Sequence, residues 1–98
     1  MILSKEYIKQ AIADFFKDKP VSKVWLFGSY ARGEADENSD VDVLIDVEKN
    51  KKLGMQYFLW NEDLANKLNK KVDIVSHAWV NKHLKPFIDE DKLIIYEK

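Results

Sequence analysis

Apolar side chains recur along the chain at helical spacing in two segments. From about Lys5 to Lys17 this spacing predicts a helix with Ser4 as its N-cap, ended by Pro20, because proline cannot continue a helix. Its core face is predicted to be Ile8, Ala11, Ile12, Phe15 and Phe16. A second helix is predicted from Leu53 to Asn69. Its core face is predicted to be Leu53, Tyr57, Trp60, Leu64, Ala65 and Leu68.

Other segments alternate with a period of two or are apolar throughout, which is typical of strands. Val21 to Phe27 ends in an apolar run on both faces, as expected of a central strand. The next strand has an apolar face, which comprises Val41, Val43, Ile45 and Val47. Its opposite face comprises Asp40, Asp42, Leu44 and Asp46. Shorter strands are predicted at Lys71 to Ser76 and Leu93 to Tyr96, with a short helix near Trp79 to Leu84 that Pro86 breaks.

This order of elements predicts an α/β (α+β) domain, a small mixed β-sheet flanked by helices, occupying residues 1–98 as a single domain. We expect the first two strands to pair antiparallel, joined through about one helical turn after Gly28. If the third strand lies beside the second, Asp40, Asp42 and Asp73 converge at one place on the sheet.

The paired carboxylates Asp40 and Asp42 carry the candidate chemistry. Side chains two residues apart on a strand project to the same side, so the two negative charges repel each other. Both stay ionised near pH 7 only with a cation or strong donors between them. The pattern therefore predicts a divalent metal site.

Two common motifs fail on spacing. Gly28 and Gly33 resemble the start of a phosphate-binding P-loop, but Glu34 and Ala35 stand where a lysine and a hydroxyl are needed. The run from Asp36 resembles an EF-hand loop, yet Val41 and Val47 replace its glycine and its bidentate glutamate.

Composition narrows the function classes. The formal net charge is -1, with charges of both signs scattered, so no direct binding to nucleic acid or to a membrane is expected. There is no cysteine, which excludes a disulfide framework or a thiolate metal site. The amino terminus lacks the apolar run of a signal peptide. We expect a soluble, cytoplasmic protein.

One pattern joins these observations. Gly28-Ser29, ten intervening residues, Asp40-x-Asp42 and the separate Asp73 resemble the signature of the DNA polymerase β-like nucleotidyltransferase superfamily. In length and in the segment Gly-Ser-Tyr-Ala-Arg-Gly-Glu-Ala, the chain is most similar to the minimal nucleotidyltransferases (MNT), often the antitoxins of HEPN/MNT toxin-antitoxin pairs. The resemblance implies the polymerase β-like nucleotidyltransferase fold.

The resemblance also implies roles for single residues. Asp40, Asp42 and Asp73 would be the catalytic residues and would hold two Mg²⁺ ions about 3.5 to 4 Å apart, with ATP as substrate. Gly28 and Ser29 would bind the terminal phosphates. Arg32 either adds a phosphate contact or is a surface arginine paired with Glu34 or Asp36.

The acceptor is expected to come from outside this short chain. The resemblance implies a HEPN-type toxin whose tyrosine is adenylylated. A small domain with many aromatic residues is also expected to bury surface against that partner or against a second copy of itself. Candidate contact residues, with core packing expected for most of them, are Tyr57, Phe58, Trp60, Trp79 and Phe87. Two alternatives stay open: a catalytically silent module that neutralises its partner stoichiometrically, and transfer to a small molecule such as an aminoglycoside.

Overall fold

Alternating strands and helices build the molecule, as a computed structural model describes it for residues 2–49, 51 and 54–98. The elements are α1 (Lys5–Phe16), β1 (Val21–Phe27), α2 (Ser29–Arg32), β2 (Val41–Val47), α3 (Gln56–Leu68), β3 (Val72–Ser76), α4 (Lys85–Asp91) and β4 (Leu93–Glu97). A 3₁₀ turn at His77–Trp79 joins β3 to α4.

The four strands form one mixed sheet in the order β3-β2-β1-β4. β1 pairs antiparallel with both β2 and β4, whereas β2 and β3 run parallel. The antiparallel first pair, the helical turn after Gly28 and the position of the third strand beside the second are confirmed. The α+β class and the mixed sheet are confirmed with them.

Helix α1 seals one face of the sheet. The Ser4 hydroxyl accepts a hydrogen bond from the Tyr7 amide at 3.1 Å, which confirms the predicted N-cap. Ile8, Ile12 and Phe16 are fully buried, and Phe15 packs half-buried against the same core. The predicted helix therefore forms, one residue shorter than expected.

Helix α3 lies beside α1 on this face. Trp60, Leu64 and Leu68 are buried, and the Trp60 ring meets the Phe16 ring edge-to-face, with 5.9 Å between ring centroids. Asn69 ends the helix in the left-handed conformation. The predicted contribution of Leu53 lies outside the described residues.

The edge strand β3 is protected by the same helix. The Ile74 amide donates to Asn61 Oδ1 at 3.1 Å, and the Tyr57 hydroxyl donates to the Ile74 carbonyl. These bonds occupy backbone groups that would otherwise be open to pairing with another strand.

The segment after β3 differs from the prediction. The helix predicted near Trp79 to Leu84 is wrong: the α-helix begins at Lys85 and contains Pro86 in its first turn. Proline is tolerated there because the amides of the first turn have no hydrogen-bond partner within the helix, so no helical hydrogen bond is lost. Pro86 therefore opens a helix and does not break one.

The expectation that most candidate aromatic residues pack in the core is also wrong. Trp60 is buried and Tyr57 half-buried, but Phe58, Trp79 and Phe87 are exposed to 68%, 86% and 67%. Phe58 lies on the outer side of α3, and the other two lie in the segment whose structure the periodicity did not predict.

None of the described helices is both long enough and apolar enough to cross a lipid bilayer.

Candidate active site

The turn from β1 into α2 passes directly against the second strand. Gly28 has a φ of 79°, and its carbonyl accepts the Arg32 amide at 3.1 Å. A Cβ added to Gly28 would lie 2.2 Å from Asp42 Oδ2. Glycine is therefore required at this position for two reasons, the backbone conformation and the close approach of the Asp42 carboxylate.

The short helix α2 is held by contacts with the chain's first residues. Tyr30 is buried, and its hydroxyl accepts the Leu3 amide at 3.5 Å. Lys5 Nζ donates to the Ala31 carbonyl at 3.1 Å. These contacts fix the position of Ser29, the first residue of α2, next to Gly28.

Three of the predicted site residues are brought together by the strand register. Asp42 and Asp73 are direct partners across the parallel β2–β3 pair, so their side chains leave the same face of the sheet on strands about 4.8 Å apart. Asp40 lies just before β2, half-buried, with Lys71 Nζ 3.9 Å from its Oδ2. Asp42 is half-buried, and Asp73 is exposed.

The pKa of Asp42 reflects its burial and the neighbouring negative charges. Its pKa is raised from 3.8 to about 6, first by burial and then by the neighbouring Asp73 and Asp40 carboxylates, while Arg32 opposes the rise. The nearby Tyr57 hydroxyl likewise has a raised pKa, first through burial and then through Asp73. The neighbouring carboxylates therefore disfavour the charged forms of Asp42 and Tyr57 in addition to the effect of burial.

The negative charge of the three carboxylates favours binding of a cation, although their side chains are not arranged around a common point. Within the described part of the chain, no three acidic, histidine or cysteine side chains are arranged as a ready-made metal site. The available donors are carboxylate oxygens, which Mg²⁺ prefers. The donor chemistry and the raised pKa of Asp42 therefore fit a divalent cation that would draw the three side chains together.

Arg32 is occupied by two carboxylates. Its Nε lies 3.0 Å from Glu34 Oε2, and its Nη1 lies 2.6 Å from Asp91 Oδ2. The pairing with Glu34 agrees with one of the two sequence alternatives, whereas Asp36 does not take part: its side chain accepts the Asn38 amide in a local turn. Asp91 was missed, because nothing in the sequence relates it to a residue 59 positions earlier.

The loop that leads to Asp40 is held by Lys70, which no motif in the sequence indicates. Lys70 Nζ donates to the carbonyls of Glu37 and Ser39, at 3.1 and 3.4 Å. Hydrogen bonds to main-chain oxygens have no sequence signal, and Nζ also lies 5.7 Å from the centroid of the Tyr30 ring. Its effect is to position the backbone just before Asp40.

A cavity of about 370 Å³ opens beside these residues. Gly28, Arg32 and Asp73 line its polar part, and Asp91 borders it. Its apolar wall comprises Phe27, Val75, Trp79, Val80, Leu84, Phe87 and Ile88. This wall was not predicted, because it depends on the 3₁₀ turn and on α4.

Comparisons with known proteins identify the family of this chain. Residues 6–97 match the model of the nucleotidyltransferase domain family. A relative from Methanocaldococcus jannaschii, named as a protein adenylyltransferase, is 34% identical over 89 residues, which cover 89% of this chain and 86% of the relative.

Solved structures share the fold. A chain of a toxin-antitoxin complex with AMP-PNP superposes with a TM-score of 0.76 at 21% identity, covering 98% of this chain and 75% of that chain. A chain from the complex of the tri-AMPylated Shewanella oneidensis HEPN toxin with its MNT antitoxin gives 0.75 at 17% identity, covering 96% and 73%. Together with the family match and the Methanocaldococcus relative, this shared fold confirms the predicted resemblance to minimal nucleotidyltransferases.

Proposed function

Because this chain belongs to the nucleotidyltransferase domain family, we propose that it transfers AMP from ATP to a hydroxyl group of a partner protein. The observation that carries the proposal is the placement of Gly28 against Asp42, with Asp73 beside Asp42 on the next strand. A backbone turn and converging carboxylates at one point match the needs of nucleotidyl transfer, which must hold phosphates and a cation together.

The phosphate-binding role falls to the turn at the start of α2. Ser29 would donate its hydroxyl to a terminal phosphate oxygen, and Gly28 admits the phosphate because it carries no side chain. Arg32 has several N–H donors on a planar fork, so its two ion pairs leave others for a phosphate.

Asp40, Asp42 and Asp73 would hold two Mg²⁺ ions. When bound, the metal would neutralise charge on the phosphates and favour loss of the proton from the attacking hydroxyl. Lys70, through the Glu37 and Ser39 carbonyls, would keep Asp40 at the edge of this group.

In the proposed reaction, the acceptor oxygen forms a bond to the α-phosphorus of ATP. The bond from that phosphorus to the bridging oxygen of the β-phosphate breaks, and pyrophosphate leaves with the electron pair. The proton of the acceptor hydroxyl passes to the Asp73 carboxylate, which is the exposed member of the three and so the one open to an incoming substrate.

We propose a HEPN-type toxin as the acceptor, which would make this chain its antitoxin. Support comes from the names of similar proteins: the Methanocaldococcus relative is named for adenylyl transfer to protein, and the Shewanella complex contains a tri-AMPylated HEPN toxin. Exposed apolar side chains, including Met55, Phe58 and Leu59 on and before α3, are consistent with a protein partner.

The test uses the purified protein with Mg²⁺, labelled ATP and the protein encoded beside it, followed by intact mass measurement of both. We expect the partner to gain one or more AMP groups of about 329 Da each. The Asp42→Asn variant should give no gain, because it lacks the carboxylate at the centre of the site. Asp46→Asn, which alters the other strand carboxylate, is the matched control and should transfer normally.

Two results would contradict the proposal. If the partner is neutralised by wild type and by Asp42→Asn alike, without a change in mass, the chain acts as a stoichiometric binding module. If the Asp42→Asn variant transfers AMP as well as wild type, the chemistry lies elsewhere in the protein.

A further inference from the structure

The residues that line the cavity beside the site fall into two chemically different groups. Gly28, Arg32 and Asp73, to which the proposed function assigns phosphates and cation, are polar and form what we call the polar end. Trp79 and Phe87, in the segment between β3 and β4, form what we call the aromatic end. A single cavity thus has both a polar and an aromatic lining.

The aromatic end exposes side chains that usually avoid water. Trp79 lies on the 3₁₀ turn with 86% of its surface exposed, and Phe87 on α4 is 67% exposed. Ile88, the next residue of α4, is buried and anchors that helix. The segment is therefore attached to the domain while it presents flat apolar rings to the cavity.

We propose that this end of the cavity binds the nucleoside base of the donor nucleotide, stacked against Trp79 and Phe87. The inference rests on the proposed function, since it takes the triphosphate to lie at the Gly28 end. Continuity of the space argues for the base over a protein segment, because a base attached to that triphosphate would be within reach of the aromatic rings that line the same cavity. The volume of about 370 Å³ lies within the range of small-molecule sites.

The wall also indicates how selective this site is. Aromatic stacking tolerates every base, because each base has a π-face, and it is stronger for the larger purines. Asn81, at the rim of the cavity, accepts the His83 amide at 2.8 Å through its Oδ1, which orients its side-chain amide. With one such polar group beside an apolar wall, we expect purine nucleotides to bind more tightly than pyrimidine nucleotides.

The experiment compares two probes in the presence of Mg²⁺ by calorimetry. One is AMPCPP, an ATP analogue whose α,β-methylene bridge cannot be cleaved, and the other is tripolyphosphate, which lacks sugar and base. We expect Trp79→Ala to weaken AMPCPP binding roughly 5- to 150-fold, the range of base–aromatic stacking, and to leave tripolyphosphate binding unchanged. Phe87→Ala should act in the same direction, and Trp79→Phe should recover most of the affinity.

Phe58→Ala is the matched control, because Phe58 is as exposed as Phe87 but lies on α3, outside the lining of the cavity. If Trp79→Ala and Phe87→Ala bind AMPCPP as wild type does, the base site is overturned while the phosphate site stands. If wild type binds neither AMPCPP nor tripolyphosphate, the proposed phosphate site fails, and the base site fails with it. Equal weakening of both probes by Trp79→Ala would also overturn the inference, because it would reflect damage to the polar end.

Discussion

The two faces of the sheet differ in how they are covered. On one face, α1 and α3 bury a continuous core that includes Phe16, Trp60 and Leu64. On the other face, Leu44 is buried, but Asp42 and Asp73 stand beside a cavity that is bordered by exposed aromatic rings. One face holds the domain together, and the other leaves charge and apolar surface open to a ligand.

This difference shows how a small domain can carry a charged site. The core on the opposite face holds the strands that carry Asp42 and Asp73 in place. The repulsion between the two carboxylates therefore does not push these strands apart. Stability and chemistry are therefore placed on opposite sides of the same strands.

The largest difference in the free energy of unfolding is expected between phenylalanine-to-alanine substitutions on the two faces. Phe16→Ala removes a fully buried ring and should lower the free energy of unfolding by about 3 to 5 kcal/mol. Phe87→Ala removes an exposed ring and should change it by less than about 0.5 kcal/mol. Urea denaturation measures both, and equal losses would mean that the second face is as closed in solution as the first.

A smaller loss is expected where the two faces meet, at the turn before α2. Gly28→Ala combines a backbone conformation that only glycine adopts readily with the 2.2 Å approach to Asp42, and should cost about 3 kcal/mol. Gly33→Ala is the control: its φ of 75° is also positive, but no atom lies within 4 Å of an added Cβ. It should cost about 1 kcal/mol. Similar losses in thermal unfolding would show that the Asp42 contact is not tight.

The smallest expected effect is a gain in stability on substitution of Asp42. The pKa of Asp42 is higher in the folded chain, about 6, than its ordinary 3.8, so its contribution to stability is full below about pH 3.8 and is lost as the pH rises through 6. In EDTA at pH 7.5, Asp42→Asn should therefore stabilise the protein, by about 1 kcal/mol because water partly screens this half-buried group.

Thermal unfolding of wild type and Asp42→Asn at a series of pH values tests this prediction. The advantage of Asp42→Asn over wild type should shrink as the pH falls from about 6 to 4, as followed by thermal unfolding. Added Mg²⁺ should raise the unfolding temperature of wild type more than that of the variant, since the cation would bind the native carboxylates. A variant that is less stable than wild type at pH 7.5 in EDTA would show that the carboxylate is compensated within the protein.

Most of the elements followed from local pattern. The bounds of β1 agree with the prediction at both ends, and α1 and the last strand agree to within a residue. Periodicity succeeded there because burial on one face imposes a fixed spacing on the side chains. It failed between β3 and β4, where Pro86 suits either the end or the first turn of a helix and only packing decides which.

The sequence by itself determined which residues share a face and where the chain turns. The period of two placed Asp40 and Asp42 together, and the glycine before Ser29 marked the turn that approaches Asp42. Tertiary structure alone decided that Asp73 lies beside Asp42, that Asp91 holds Arg32, and that Trp79 borders a cavity. The reason is physical: alternation and turn propensity are local properties, whereas strand order, long-range ion pairs and cavities depend on how distant segments pack.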